Sequence, residues 1–146
     1  MKLFLVHHAD AVGPEVDSRR PLSALGERQA TQAAAATAAR GARPAVVWHS
    51  GKLRARQTAQ AFWRACNALA EFKATADLQP DDPPSRIRDR LRGETHDVLL
   101  AGHFHHLPRL LSLLLGTPAT FPQHGVVELE SDDQGETWQE VWRLNS

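Results

Sequence analysis

The stretch Lys2-Leu3-Phe4-Leu5-Val6-His7-His8-Ala9-Asp10 decides how this chain folds. Lys2 to Val6 is short, apolar and β-prone, and polar His-His-Ala-Asp follows it directly, so the segment reads as a buried strand that ends in polar chemistry. In α/β folds that carboxyl edge is where sites are built. Two more apolar runs repeat the arrangement. Ala45 to Trp48 lies between Pro44 and His49-Ser50-Gly51, and Asp97 to Ala101 runs into Gly102-His103.

The segments between these runs read as helices. Ser23 is a cap residue for a helix through Glu27 and the Ala-rich stretch to Arg40, where Gly41 stops it. A second helix is expected from Lys52 to about Leu69, and a third, Leu107 to Leu115, has one apolar face and is closed by Gly116. Asp81, Asp82, Pro83 and Pro84 mark a loop, and Arg86 to Arg92 reads as a short charged helix with a solvated face. Gly125 to Glu130 and Thr137 to Leu144 alternate apolar and polar residues around an acidic turn at Asp132 to Gly135, which fits a terminal hairpin. Helices between successive strands imply parallel pairing, and right-handed crossovers return each strand to the same edge. The expected fold is α/β: a three-layer α/β/α sandwich with a mainly parallel central sheet and an antiparallel C-terminal hairpin. With no repeat and no linker, residues 1–146 read as a single domain.

Composition narrows the function. Lys plus Arg and Asp plus Glu each number 17, so the chain is formally neutral and any anion site must be local. Nothing in that balance suggests nucleic acid or an anionic membrane as partner. The lone Cys66 lies in a helix-like run and reads as a core residue in a reducing compartment, and Leu3 to Val6 is far too short for a signal-peptide core or a span. A cytoplasmic location is the expectation.

Each of the three runs delivers chemistry to the shared edge. His7, His8 and Asp10 follow the first, His49, Ser50 and Arg54 the second, and His103, His105 and His106 the third. Several imidazoles and a guanidinium in one crevice suit a phosphate: Arg offers a fixed fork of donors, and a His can be nucleophile or acid. A zinc reading would draw on His103, His105 and His106 with His7, His8 and His49. No carboxylate stands at an obvious spacing to orient those rings.

Leu5-Val6-His7-His8-Ala9-Asp10, then Ser50-Gly51-Lys52-Leu53-Arg54-Ala55-Arg56-Gln57-Thr58-Ala59, then Gly102-His103 together resemble the histidine phosphatase superfamily, and within it the short SixA-like phosphohistidine phosphatases. Asp17, Arg20-Pro21-Leu22-Ser23 and Gly26 also look like the loop and helix start of that branch. The resemblance implies a phosphoglycerate mutase-like fold and an enzyme needing no metal or other cofactor. It implies that His8 is phosphorylated on a ring nitrogen, with Arg54 and His103 binding the phosphoryl oxygens. Arg20 would help hold the substrate, with Arg19 as the neighbouring alternative, and His7 and Ser50 are further candidates for phosphate contact, although capping the next helix is the plainer role for Ser50. The partner would be a phosphorylated protein or a small phosphorylated molecule.

The family's first motif begins with Arg, and this chain has His7 there. An Arg gives a permanent, bidentate contact, whereas a neutral His gives one N–H. The expectation is weak activity that rises as pH falls towards about 6, as His7 charges, with a catalytically silent phosphohistidine-binding protein as the alternative. No counterpart of the Glu that protonates a leaving alkoxide in larger relatives is evident. A labile P–N bond hardly needs one, which favours phosphohistidine or another phosphoramidate over a sugar phosphate. Asp10, the nearest acid, reads as a loop-anchoring carboxylate.

Overall fold

The computed structural model describes residues 1–146. The first strand, β1, is Lys2–His7, followed by α1 Ala24–Ala39, β2 Val46–His49, α2 Leu53–Cys66, β3 Glu71–Ala74, α3 Pro84–Leu91, β4 Val98–Gly102, α4 His106–Leu115, β5 Val126–Glu130 and β6 Gln139–Leu144. They build one sheet of order β3-β2-β4-β1-β5-β6. The pairs β1–β4, β2–β4 and β2–β3 are parallel, while β5 runs antiparallel to both β1 and β6.

Alternation along the strands divides the core in two. Leu3, Leu5, Trp48, Val98 and Leu100 face Ile87 and Leu91 of α3 and Leu107, Leu110 and Leu111 of α4. Phe4, Val6, Val47, Leu99 and Ala101 face Ala33 and Ala34 of α1 and Ala59 and Phe62 of α2. Successive strand side chains point to opposite faces, so three layers follow from a strand that is apolar at every position. Cys66 is buried in the second cluster, and burial pushes its thiol up to about 11, as befits a packing residue.

Register positions the site. His7 pairs with Gly102 and His49 with Ala101, so β1, β2 and β4 end level and release His8, Ser50 and His103 at one edge.

Three boundaries differ from the sequence reading. Helix α2 stops at Cys66 because Asn67 leaves the helix, donating from Nδ2 to the Pro44 carbonyl at 2.9 Å while its Oδ1 accepts the Leu69 amide at 3.1 Å. Helix α3 starts at Pro84, in the first turn, where a missing N–H costs nothing. Its charged face pairs with Asp77, but Ile87 and Leu91 are fully buried, so it is as much a core element as a solvated one. Strand β3 has no counterpart in the sequence reading: Glu71-Phe72-Lys73-Ala74 is an edge strand with no fully buried residue, so it lacks an apolar run. No helix is long and apolar enough to cross a membrane.

Candidate active site

The site begins where β1 ends. The His8 amide donates to the Gly102 carbonyl at 3.1 Å, continuing the β1–β4 ladder by one residue. The His8 ring nitrogen Nδ1 lies 2.8 Å from the Ala9 carbonyl. A carbonyl only accepts, so Nδ1 carries the ring proton and Nε2 holds the free lone pair. The His8 pKa is lowered to about 4, first by burial and then, against the opposing Ala9 bond, by Arg54, His124 and Arg20. His8 is therefore a neutral imidazole whose nucleophilic atom is fixed.

Helix α2 holds this turn in place. Thr58 Oγ1 accepts the Ala9 amide at 3.0 Å and donates to the Arg54 carbonyl at 2.8 Å, and Gln57 Oε1 accepts the Leu22 amide at 2.7 Å. The Gln57-Thr58 pair thus ties both ends of the β1–α1 loop to the helix that carries Arg54.

Five of the six sequence candidates, His7, His8, Arg20, Arg54 and His103, meet at one cleft of about 380 Å³, whose walls also include Asp10, Phe104, Gln123 and His124. Arg20, in left-handed backbone (φ 50°), donates from Nε to the Val12 carbonyl at 3.0 Å. Arg19 points away and pairs with Asp17 at 2.9 Å on the surface, so Arg20 is the arginine of this loop that faces the cleft. Burial and Arg20 lower the Arg54 pKa. Asp10 touches the cleft, but its carboxylate accepts the Ser23 hydroxyl at 2.6 Å, and Ser23 in turn caps α1 by accepting the Gly26 amide at 3.0 Å. That is the loop-anchoring role read from sequence.

Ser50 lies behind His103 and not on the cleft wall. Its Oγ accepts the Lys52 amide at 3.3 Å and sits 2.6 Å from His103 Nε2, and it does not cap α2, whose first-turn amides get no side-chain acceptor. The direct phosphate contact expected of Ser50 is therefore replaced by orientation of His103. Ser50 Oγ can accept from Lys52 and donate to His103 Nε2 at once, and in that arrangement the imidazole proton is on Nδ1. His103 Nδ1 and Arg54 Nε are buried without a protein partner. Burial, then His8 and Arg54, lower the His103 pKa to about 3. His105 and His106, the other histidines after the third run, open α4 and do not line the cleft: His105 is the exposed residue before the helix, and His106 is fully buried in its first turn.

His7 behaves differently from the sequence expectation. Its Nδ1 accepts the His124 amide at 2.8 Å, and its ring is stacked between Phe104 (centroids 4.4 Å apart) and His124 (5.0 Å). Burial, then His8, His124 and His103, push its pKa down to about 2. Protonating Nδ1 would set two N–H groups against each other, so His7 is a neutral Nε2–H donor and is not the group that charges towards pH 6.

His124 is the residue that sequence reasoning missed. It sits in left-handed backbone (φ 56°) in the Pro122-Gln123-His124-Gly125 turn, and its Nδ1 lies 2.8 Å from the His8 carbonyl. Only the pairing of β5 with β1, which sets Val126 opposite Val6, brings it here. One ring nitrogen each of His7, His8 and His124 lies within 4.8 Å of the others. This trio is not the set of the zinc reading, and it is a poor metal site: with Nδ1 of His7 taken by an amide, Nε2 carries the proton and offers no lone pair. A larger groove of about 700 Å³ beside α4 holds Arg109 as its one charged side chain and none of these groups.

Residues 6–79, just over half of the chain, match the model of the histidine phosphatase superfamily (branch 1). The chain belongs to the histidine phosphatase superfamily. The match takes in the His8 turn, Arg20 and Arg54, and the chain is a phosphatase-type hydrolase of that superfamily with the phosphoglycerate mutase-like fold. Its fold is similar to that of the protein histidine phosphatase SixA complexed with tungstate (23% identity, TM-score 0.87, 99% of this chain and 97% of that one). It is also similar to a putative phosphohistidine phosphatase SixA from Agrobacterium tumefaciens (24%, 0.82, 99% and 97%) and to a mycobacterial glucosyl-3-phosphoglycerate phosphatase (16%, 0.74, 99% and 99%). No curated protein matches the chain by sequence.

Proposed function

We propose that this superfamily member hydrolyses phosphohistidine or a related phosphoramidate, on a protein or a small molecule, through a phospho-His8 intermediate. The observation that carries the reading is the paired state of the two carboxyl-edge groups: His8 has Nδ1 tied to Ala9 and Nε2 free, while Asp10, the one carboxylate on the cleft wall, is held by Ser23. The nucleophile is ready and no free carboxylic acid stands by for a poor leaving group.

The Nε2 lone pair attacks phosphorus, the new N–P bond forms as the bond to the leaving nitrogen breaks, and that nitrogen departs with the electron pair and takes a proton from solvent. Arg54, Arg20 and the His103 and His7 N–H donors stabilise the equatorial oxygens. Water then attacks phosphorus, the N–P pair returns to His8, and the water's proton passes to the departing phosphate or to solvent. The similarity to a SixA structure that holds tungstate, a tetrahedral oxyanion, supports a phosphate-shaped cleft.

The test is a comparison of kcat/KM for a phosphohistidine peptide, an aryl phosphate and an alkyl phosphate under one condition. Preference should follow leaving-group ability, with the alkyl ester slowest by about two orders of magnitude or more, the usual contribution of a missing general acid. Equal rates on the alkyl ester would mean that an acid operates and would defeat the phosphoramidate assignment. Hydrolysis no faster than in His8→Ala would leave the silent binding protein as the better description.

A further inference from the structure

His7 contributes one neutral N–H where the phosphoryl group would sit, yet the ring stacked on it is wired differently. His124 has Nδ1 against the His8 carbonyl, an acceptor only, so Nδ1 carries a proton and Nε2 is the ring nitrogen left free. His7, by contrast, can charge only by breaking its bond from the His124 amide. His124 lines the same cleft, and one of its ring nitrogens lies within 4.8 Å of a ring nitrogen of His7 and of His8.

We propose that His124 is a further catalytic residue of this site, carrying a proton on Nε2 when a phosphorylated ligand is bound and donating it in a hydrogen bond to a phosphoryl oxygen, thereby supplying the charge that position 7 lacks. The groups facing it are His7 and His8 at the end of β1, Asp10 and Arg20 from the loop before α1, Arg54 of α2 and His103 after β4. On its other side lie the uncharged Gln29 and Gln32 of α1 with Asn145 and Ser146. Without ligand Arg20 and Arg54 oppose a third cation in the cleft; a bound dianion reverses the balance. No proton is consumed: it stays on Nε2 through phosphoryl transfer and is released to solvent when phosphate leaves. The proposal rests on the phospho-His8 reading.

The experiment compares the parent with His124→Asn. Asn tolerates left-handed backbone and its amide can keep the bond to the His8 carbonyl, but it has no charge. Both proteins are first given labelled phosphoramidate briefly and checked, by acid-sparing analysis, for phosphate on His8. The parent-to-variant ratio of kcat/KM is then followed between about pH 6 and 8, which cancels the substrate's own titration. The ratio should be roughly ten- to a hundredfold at the acid end, the worth of one charge-assisted hydrogen bond, and should shrink several-fold at the alkaline end. A ratio near one, or a large ratio independent of pH as a structural role would give, overturns the assignment while the label on His8 stands. No label on the parent overturns the phospho-His8 reading, and this inference with it. Should His124→Asn fail to fold, imidazole 15N spectra of the parent near pH 7 with and without inorganic phosphate decide: Nε2 of His124 moving to the protonated range supports the assignment, and an unmoved signal overturns it.

Discussion

A single hydrogen bond at Nδ1 separates His7 from His8 and His124 in the cleft. An imidazole whose Nδ1 faces a carbonyl (His8, His124) leaves Nε2 free, and one whose Nδ1 faces an amide (His7) presents a fixed N–H. The candidates His8, Arg20, Arg54 and His103 were legible in the sequence because they follow apolar runs or motif spacing. The tautomers were not, since the deciding partners are backbone groups up to 117 residues away. A pH prediction follows from His8, whose pKa drops from 6.5 to about 4. On the phospho-His8 proposal the attacking ring must be neutral, so activity should persist through pH 5 and fall as pH drops through about 4, not through 6.5; a kcat/KM profile at constant substrate protonation checks it, and half-loss near 6.5 would contradict it. Folding must be monitored alongside. His7, His8 and His103 all have folded pKa values below the unfolded 6.5, so the unfolded chain binds the extra protons and stability declines as pH falls from about 6.5 towards those lower values.

At the scale of elements, α1 and α2 act as clamps on the loops that carry His8 and Arg20. Gly26, in the first turn of α1, packs directly on the Asp10 backbone, where an added Cβ would overlap the Asp10 carbonyl oxygen and lie 2.8 Å from its carbon. Gly26→Ala should therefore destabilise the fold by about 1–3 kcal/mol despite the better helix propensity of Ala, and should lower activity by moving the Asp10 turn. Gly93→Ala, whose Cβ would meet only the Arg90 carbonyl at 3.5 Å, is the control and should change stability by less than about 0.5 kcal/mol. Thermal unfolding of both variants reads the difference; equal behaviour would mean that the α1 contact does not anchor the site. Helices α1, α2 and α4 and the terminal hairpin were legible from caps, Gly stops and periodicity. Strand β3 was not, because an exposed edge strand is set by its partner β2 and by no pattern of its own.

At the scale of the molecule, the layers, the parallel core and the shared edge all descend from three apolar runs ending in polar residues, which is why the α/β fold could be read from the chain. The part of the site that could not, the His7–Phe104–His124 stack, exists only because β5 lies antiparallel beside β1. The molecule thus assembles one cleft from four loops and the start of α2, with the neutral His8 ring amid two arginines and three further imidazoles. On the proposed function, His8 takes the phosphoryl group. Rapid quench of the protein with a phosphoramidate, followed by intact-mass and peptide analysis without acid, tests it most directly. The account predicts one phosphoryl group per chain, on His8, that forms and decays at rates consistent with turnover and is absent from His8→Ala. Turnover by the parent with no phosphoryl group on His8, or with the group on another residue, would contradict it.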